Sequence, residues 1–243
     1  MKELLLLGGS HHNSLISLLN GDNGKRLLPA GCRLKIVSCS DLDFSFAVDV
    51  NATGDIDCLK HPNLKQACLN AYNQTLIKYD PDRVIGLSLG SWHHAVDDPI
   101  WLSRYPADLA PVDQQREPIS LNEVVERILP EVRLRVEVIK KFLRTRHRFF
   151  VIPVPPPSFF HEGAVAGIPP HTVLYIHNLC AVLFKTALEA LKVTLANTPA
   201  VRTMEPNGFL RPELSCNFGD HHARGLEYGR RLWPGVEELL RRF

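Results

Sequence analysis

Four strand candidates punctuate the chain, Leu4 to Leu7, Leu34 to Val37, Val84 to Leu89 and Phe149 to Val154, almost wholly apolar apart from the second, which carries Lys35. Unbroken runs of this length suit strands buried on both faces, because a strand with one wet face alternates apolar and polar positions. The first run ends on Gly8-Gly9, a tight turn. The fourth is closed by Pro155-Pro156-Pro157, three residues that cannot donate to a ladder and so must end the sheet. Ala200 to Met204 is expected to add a fifth, short strand.

Between these runs the period changes from continuous to helical. Asn13 to Leu19 reads as a short helix. Leu64, Cys68, Ala71, Thr75 and Tyr79 fall on one helical stripe that Asp80-Pro81-Asp82 ends, because proline cannot continue a helix. Ser120-Leu121-Asn122-Glu123 has the spacing of a capping box, so a helix should start there. Val132, Val136, Ile139 and Leu143 carry its apolar stripe, with Pro130 expected to interrupt or restart it. His171 to Leu195 predicts a long helix packed on the sheet, and Leu226 to Arg242 an amphipathic last helix. A polar, Asp-rich loop is expected from Ser40 towards Pro62, and an irregular stretch from Asp97 to Pro118 that could wall a substrate with Trp101 and Tyr105.

Strand and helix alternating in this way imply a parallel sheet with right-handed crossovers and helices on both faces. The expected fold is therefore α/β, a flavodoxin-like three-layer sandwich with a central parallel sheet of about five strands. A chain of 243 residues with 45% hydrophobic content can bury one large core, which predicts a single domain over residues 1–243.

Charge and cysteines change the picture little. A formal net charge of +2 gives no reason to expect nucleic acid or a membrane surface as partner. The basic residues of 144–148 and 230–242 lie at helix ends, where the dipole favours them. Six cysteines without close-paired metal spacing read as reduced, mostly buried thiols. Met1-Lys2-Glu3 and four leucines give neither a signal-peptide core nor a cleavage site, and no segment reads as a membrane span. The expectation is a cytoplasmic protein.

The chemistry is concentrated in three His-bearing turns: Gly8-Gly9-Ser10-His11-His12, Gly90-Ser91-Trp92-His93-His94 and Gly219-Asp220-His221-His222. Two follow predicted strands and the third precedes the last helix. Parallel neighbouring strands would open the turns onto one sheet edge, bringing together a serine, several imidazoles and a carboxylate, the parts of nucleophilic acyl chemistry.

These turns resemble, in order and spacing, the conserved blocks of the SGNH (GDSL-like) hydrolase superfamily over nearly the whole chain. Leu4 to His11 resembles the block that carries Gly-Asp-Ser, with Gly9 in place of Asp. Leu89 to His93 resembles the block that reads Gly-x-Asn-Asp. Asp220-His221-His222-Ala223 resembles the final Asp-x-x-His block, with the carboxylate one or two residues before an imidazole rather than three. The resemblance implies a serine esterase or acyl-group transferase, acting on O-acyl (acetyl) esters of a carbohydrate or small molecule. Ser10 would be the nucleophile, His222 or His221 the base and Asp220 its orienting carboxylate. Gly9, Ser40, Gly90, Trp92 and His93 would line the oxyanion and substrate pocket, with Ser38, Cys39 or Ser40 lending a backbone N–H. It implies no cofactor.

Other readings of the same residues stand beside this one. Ser10 is also a suitable N-cap for the helix that follows. His11 and His12 read as groups at the surface or behind the site. With its blocks so altered, the alternative expectation is a non-catalytic member that keeps the pocket and binds a ligand or partner. The His pairs, with Asp97, Asp98 and Asp220, offer imidazole and carboxylate donors suited to a divalent metal.

Overall fold

The structure, a computed structural model, describes residues 1–9, 13–21, 27–39, 41–89, 92–109, 113–159, 161–196, 203–215 and 225–243, with the backbone alone at 41–43 and 93. Its centre is a four-stranded, all-parallel sheet of β1 (Glu3–Gly8), β2 (Arg33–Ser38), β6 (Arg83–Ser88) and β9 (Arg148–Ile152), in the order β2-β1-β6-β9. Counting only these strands, the order is 2-1-3-4, the flavodoxin-like winding, whose direction reverses between the first and third strands. The α/β class inferred from the apolar runs is the one observed.

Pleating divides the leucines of β1 between two cores, since successive side chains point to opposite faces. Leu4 and Leu6 face one way, with Val84, Phe150 and Ile152, and meet α1 (Asn13–Asn20) and α8 (Gly225–Leu240) through Leu15, Leu19, Leu232 and Val236. Leu5 and Leu7 face the other way, with Ile85, Leu87 and Val151. They pack under α3 (Pro62–Tyr72), α5 (Leu121–Leu143) and α7 (Pro170–Ala190) through residues such as Leu64, Ile128 and Ile176. All four leucines are fully buried.

Several elements depart from expectation. Of the strand expected over Ala200 to Met204, only Thr203 and Met204 are described, and neither pairs with the central sheet. Leu195 fills the fifth sheet position through one parallel bridge to Val151, while Met204 bridges Leu210 and residues 200–202 lie outside those described. The helix expected over His171 to Leu195 is α7, which ends at Ala190. Lys192 turns the chain there at φ +57°, and the Val193 N–H donates to the Leu188 carbonyl. By length and composition alone α7 is apolar enough to cross a membrane, contrary to the expectation of no such segment. Val173, Ile176, Cys180, Phe184 and Leu188 give it a buried face in the core.

Pro130 lies inside α5 without breaking it, at the cost of one helix hydrogen bond. The expected capping box is present, with the Glu123 N–H donating to Ser120 Oγ and the Ser120 N–H to the Glu123 carboxylate. The stripe that reached Tyr79 is helical only to Tyr72, where Asn73 caps it in the left-handed region. The Asp-rich loop contains α2 (Asp41–Ala47) and a hairpin of β3 (Asp49–Val50) and β4 (Ile56–Asp57), extended by β5 (Leu76–Ile77). The stretch from Asp97 holds a 3-10 turn, Pro99–Leu102, and a small parallel pair, β7 (Arg104–Pro106) with β8 (Glu117–Ile119).

Candidate active site

The carboxyl ends of three strands finish level. Gly8 pairs with Ser38 on one side and Ser88 on the other, so the chain leaves β1, β2 and β6 at one edge, beside the switch point where such sheets bind ligands. Gly8 makes this possible. Its φ is +125°, and a Cβ on it would lie 2.3 Å from the Ser88 carbonyl oxygen, so only glycine fits. The next residue, Gly9, donates its N–H to the same carbonyl at 2.9 Å, tying the start of the first His-bearing turn to the start of the second.

Ser10, Ser40, Gly90, Asp220, His221 and His222 lie outside the described residues, as do His11, His12 and Ser91. His93 opens α4 (His93–Val96), and its side chain is not described. Of the expected pocket residues this leaves Gly9 and Trp92. The Cys39 N–H already donates to the Gly8 carbonyl at 3.2 Å, which removes it from the backbone amides offered for an oxyanion.

Trp92 is buried at the end of β6. Its ring meets Phe184 edge-on at 5.5 Å, and the Arg135 guanidinium lies 5.1 Å from its centroid. Arg135 is wholly buried and is held by the Glu131 carboxylate at 2.6 Å and the Glu131 carbonyl at 2.8 Å. Trp101 and Tyr105, expected to offer a face to substrate, are both buried. The indole N–H of Trp101 donates to the Ala95 carbonyl at 2.8 Å, so these rings hold the loop to the core rather than facing a ligand.

A cavity of about 370 Å³ opens beyond the carboxyl end of β9. One wall is the α7 face of His177, Ala181 and Lys185, spaced four residues apart. The other is Pro153, Val154 and Pro156, and Tyr228 from the first turn of α8 closes it. A smaller apolar slot of about 60 Å³ adjoins it and reaches Trp92 and Phe184.

His177 is a titratable group in this cavity that the sequence did not point to. The available signal was a polar and small-residue row, His177-Ala181-Lys185, on an otherwise apolar helix. Its Nε2–H donates to the Pro155 carbonyl at 3.2 Å, and Nδ1 has no partner of hydrogen-bonding geometry. Burial, with His161 nearby, pushes its pKa down to about 4, while Asn178 and Pro155 pull the other way. The folded chain thus refuses a proton that the unfolded chain accepts below pH 6.5. Stability should fall as pH drops from about 6.5 to about 4, by about 3 kcal/mol in all. Urea unfolding from pH 7 to pH 4 should show a smaller loss in His177→Gln. Equal losses in the two proteins would contradict this.

The metal-ligating residues considered above are distributed differently. Asp98 is engaged by Arg127 at 3.0 Å and caps the 3-10 turn through the Ile100 N–H. Asp97 converges instead with His161 and Glu162, which precede and open α6 (Glu162–Val165), their donor atoms lying within 4.8 Å of one another. The His161 Nδ1 lone pair is committed to the Gly163 N–H at 3.1 Å, so that nitrogen is not offered to an ion. Burial, then the hydrogen bond and charge of Glu162, push the Asp97 carboxyl up to about 8. A raised acid contributes most below its unfolded value of 3.8 and loses that contribution as pH rises towards 8. Asp97→Asn is therefore expected to raise Tm by about 5 °C at pH 8 and to change it little at pH 4, as read by calorimetry. The same Tm shift at both pH values would contradict the raised Asp97 carboxyl.

No protein-family model matches the chain, and no curated protein matches its sequence. Among solved structures it is similar to a GDSL-like lipase of Bacteroides thetaiotaomicron, with 11% identity and a TM-score of 0.48, over 99% of this chain and 86% of that one. It is also similar to an extracellular lipase of Streptomyces rimosus, with 9% identity and a TM-score of 0.48, over 98% of this chain and 100% of that one. The α/β class rests on the strand order described above.

Proposed function

We propose that this chain is a serine esterase or acyl-group transferase acting on O-acyl esters of a carbohydrate or small molecule. Ser10 would attack the ester carbonyl carbon while His222 or His221 takes its proton, with Asp220 fixing the imidazole. The alcohol leaves with that proton. Water, or an acceptor hydroxyl in a transferase, then attacks the acyl-serine and restores the hydroxyl. The Ser10 amide and that of Ser40, with His93, would meet the oxyanion, each donor contributing on the order of a hundredfold to a thousandfold in rate.

The observation that carries this reading is the level ending of β1 and β6 at the switch point, beside a cavity at the same edge. Ser10 is two residues beyond Gly8, and Gly90 two beyond Ser88. The third turn leads into α8, whose first turn lines the cavity through Tyr228 and packs Gly225 against Ser17 of α1. The two segments that must meet therefore lead into a packed helix pair at that edge.

Labelling with a fluorophosphonate, followed by peptide mass spectrometry, tests the assignment. One adduct on Ser10 is expected. No adduct, or one on another residue, would contradict it.

A further inference from the structure

We infer that the acyl group taken by this site is short, and that Trp92, Phe184 and Ala181 set its length. The inference rests on the esterase reading and adds to it the substrate's chain length.

The two adjoining spaces at the sheet edge differ in chemistry. The outer cavity is lined by Asn178 and the buried Thr203, which the slot is not, and these polar groups suit the alcohol part of an ester. The slot adjoining it shares Pro153, Val154, His177, Ala181, Lys185 and Leu195 with the cavity, presents mostly apolar surface and reaches the rings of Trp92 and Phe184. A hydroxyl or charge carried into such a slot would lose its hydration without a partner, whereas an alkyl tail gains by leaving water. The slot thus suits the tail of the acyl group, and it borders Leu89 and Trp92, the described residues on either side of the turn after β6.

Its size sets the limit. A space of about 60 Å³ holds roughly four to five water-sized groups, which is an acyl chain of about four carbons. The floor cannot yield easily. Trp92 is held under Arg135, itself tied to Glu131 inside the core, and Phe184 is 5% exposed. Ala181 stands midway along the α7 wall, where a larger side chain would enter the slot.

The test is the ratio of kcat/KM values for p-nitrophenyl acetate, butyrate and octanoate. The wild-type protein should gain about fourfold per methylene from acetate to butyrate and fall at least tenfold at octanoate. Phe184→Ala should raise the octanoate-to-butyrate ratio at least tenfold. Because Phe184 also packs the core, Ala181→Leu supplies an independent arm, and should lower the butyrate-to-acetate ratio about tenfold. Octanoate turned over as well as butyrate by the wild type, or ratios that neither variant moves, would overturn the chain-length inference and leave the esterase reading intact. Failure to turn over any of the three, with no fluorophosphonate adduct, would overturn both.

Discussion

Replacing Ser10 by alanine is expected to lower kcat/KM for p-nitrophenyl acetate by at least about a thousandfold, since a nucleophile and its base act as a unit and loss of either removes most of the catalysis. The competing role for this serine is a helix cap. Loss of a cap costs about 0.5–2 kcal/mol, or roughly 2–8 °C of Tm in a chain of this size, and would leave turnover largely in place. Activity and melting temperature measured on one preparation of Ser10→Ala separate the two. A lost rate with a modest change in Tm is the outcome expected of a nucleophile.

A second large effect is expected at Gly229, which carries no chemistry. α8 crosses α1 so closely that a Cβ on Gly229 would lie 2.2 Å from the Ser14 carbonyl oxygen and 3.2 Å from the Leu18 Cβ. Backbone cannot yield there as a flexible side chain would, so Gly229→Ala must push the helices apart. The expected loss is about 2–3 kcal/mol, as for overpacked cores. That corresponds to roughly 5–10 °C in Tm. The turns leading into α1 and α8 hold Ser10 and His222, and a displacement of about 1 Å between reacting groups can cost about a hundredfold in rate. Ester turnover should therefore fall in this variant by more than the unfolded fraction explains. Calorimetry with kinetics well below Tm checks both parts, and an unchanged Tm would show that the helices are not in the contact described.

The large features of the fold were legible because they repeat. Leu4 to Leu7 and Val84 to Leu89 are continuous apolar runs because they lie between two helical layers, and Ser120 with Glu123 carried the start of α5 in four residues. Elements too short to show a period were missed. β3, β4 and β5 have two residues each, and the fifth sheet position is a single bridge at Leu195, so no pattern could register them. Trp101 and Tyr105 were read as a substrate wall because aromatic residues in a long loop suit that role, but an indole N–H that finds a backbone carbonyl can be buried without penalty.

The site divides in the same way. The Gly8-Gly9 turn and the position of Trp92 after β6 could be read from local sequence, because a strand end and a glycine with positive φ are local facts. Asp97 and Glu162 are remote in the chain, and nothing but the fold brings their carboxyls together. His177 looked like one imidazole in an apolar helix. What distinguishes it is that its helical row, continued by Ala181 and Lys185, faces a cavity rather than the core.

The account depends on the Ser10 hydroxyl meeting an imidazole of the turn before α8. A crystal structure of the fluorophosphonate-labelled protein measures this directly. The account predicts the phosphonate on Ser10 Oγ, with a ring nitrogen of His222 or His221 within about 3 Å of that oxygen or of a phosphonate oxygen. A phosphonate on Ser10 with both imidazoles on the far side of the sheet edge, beyond reach of one bridging water, would contradict it.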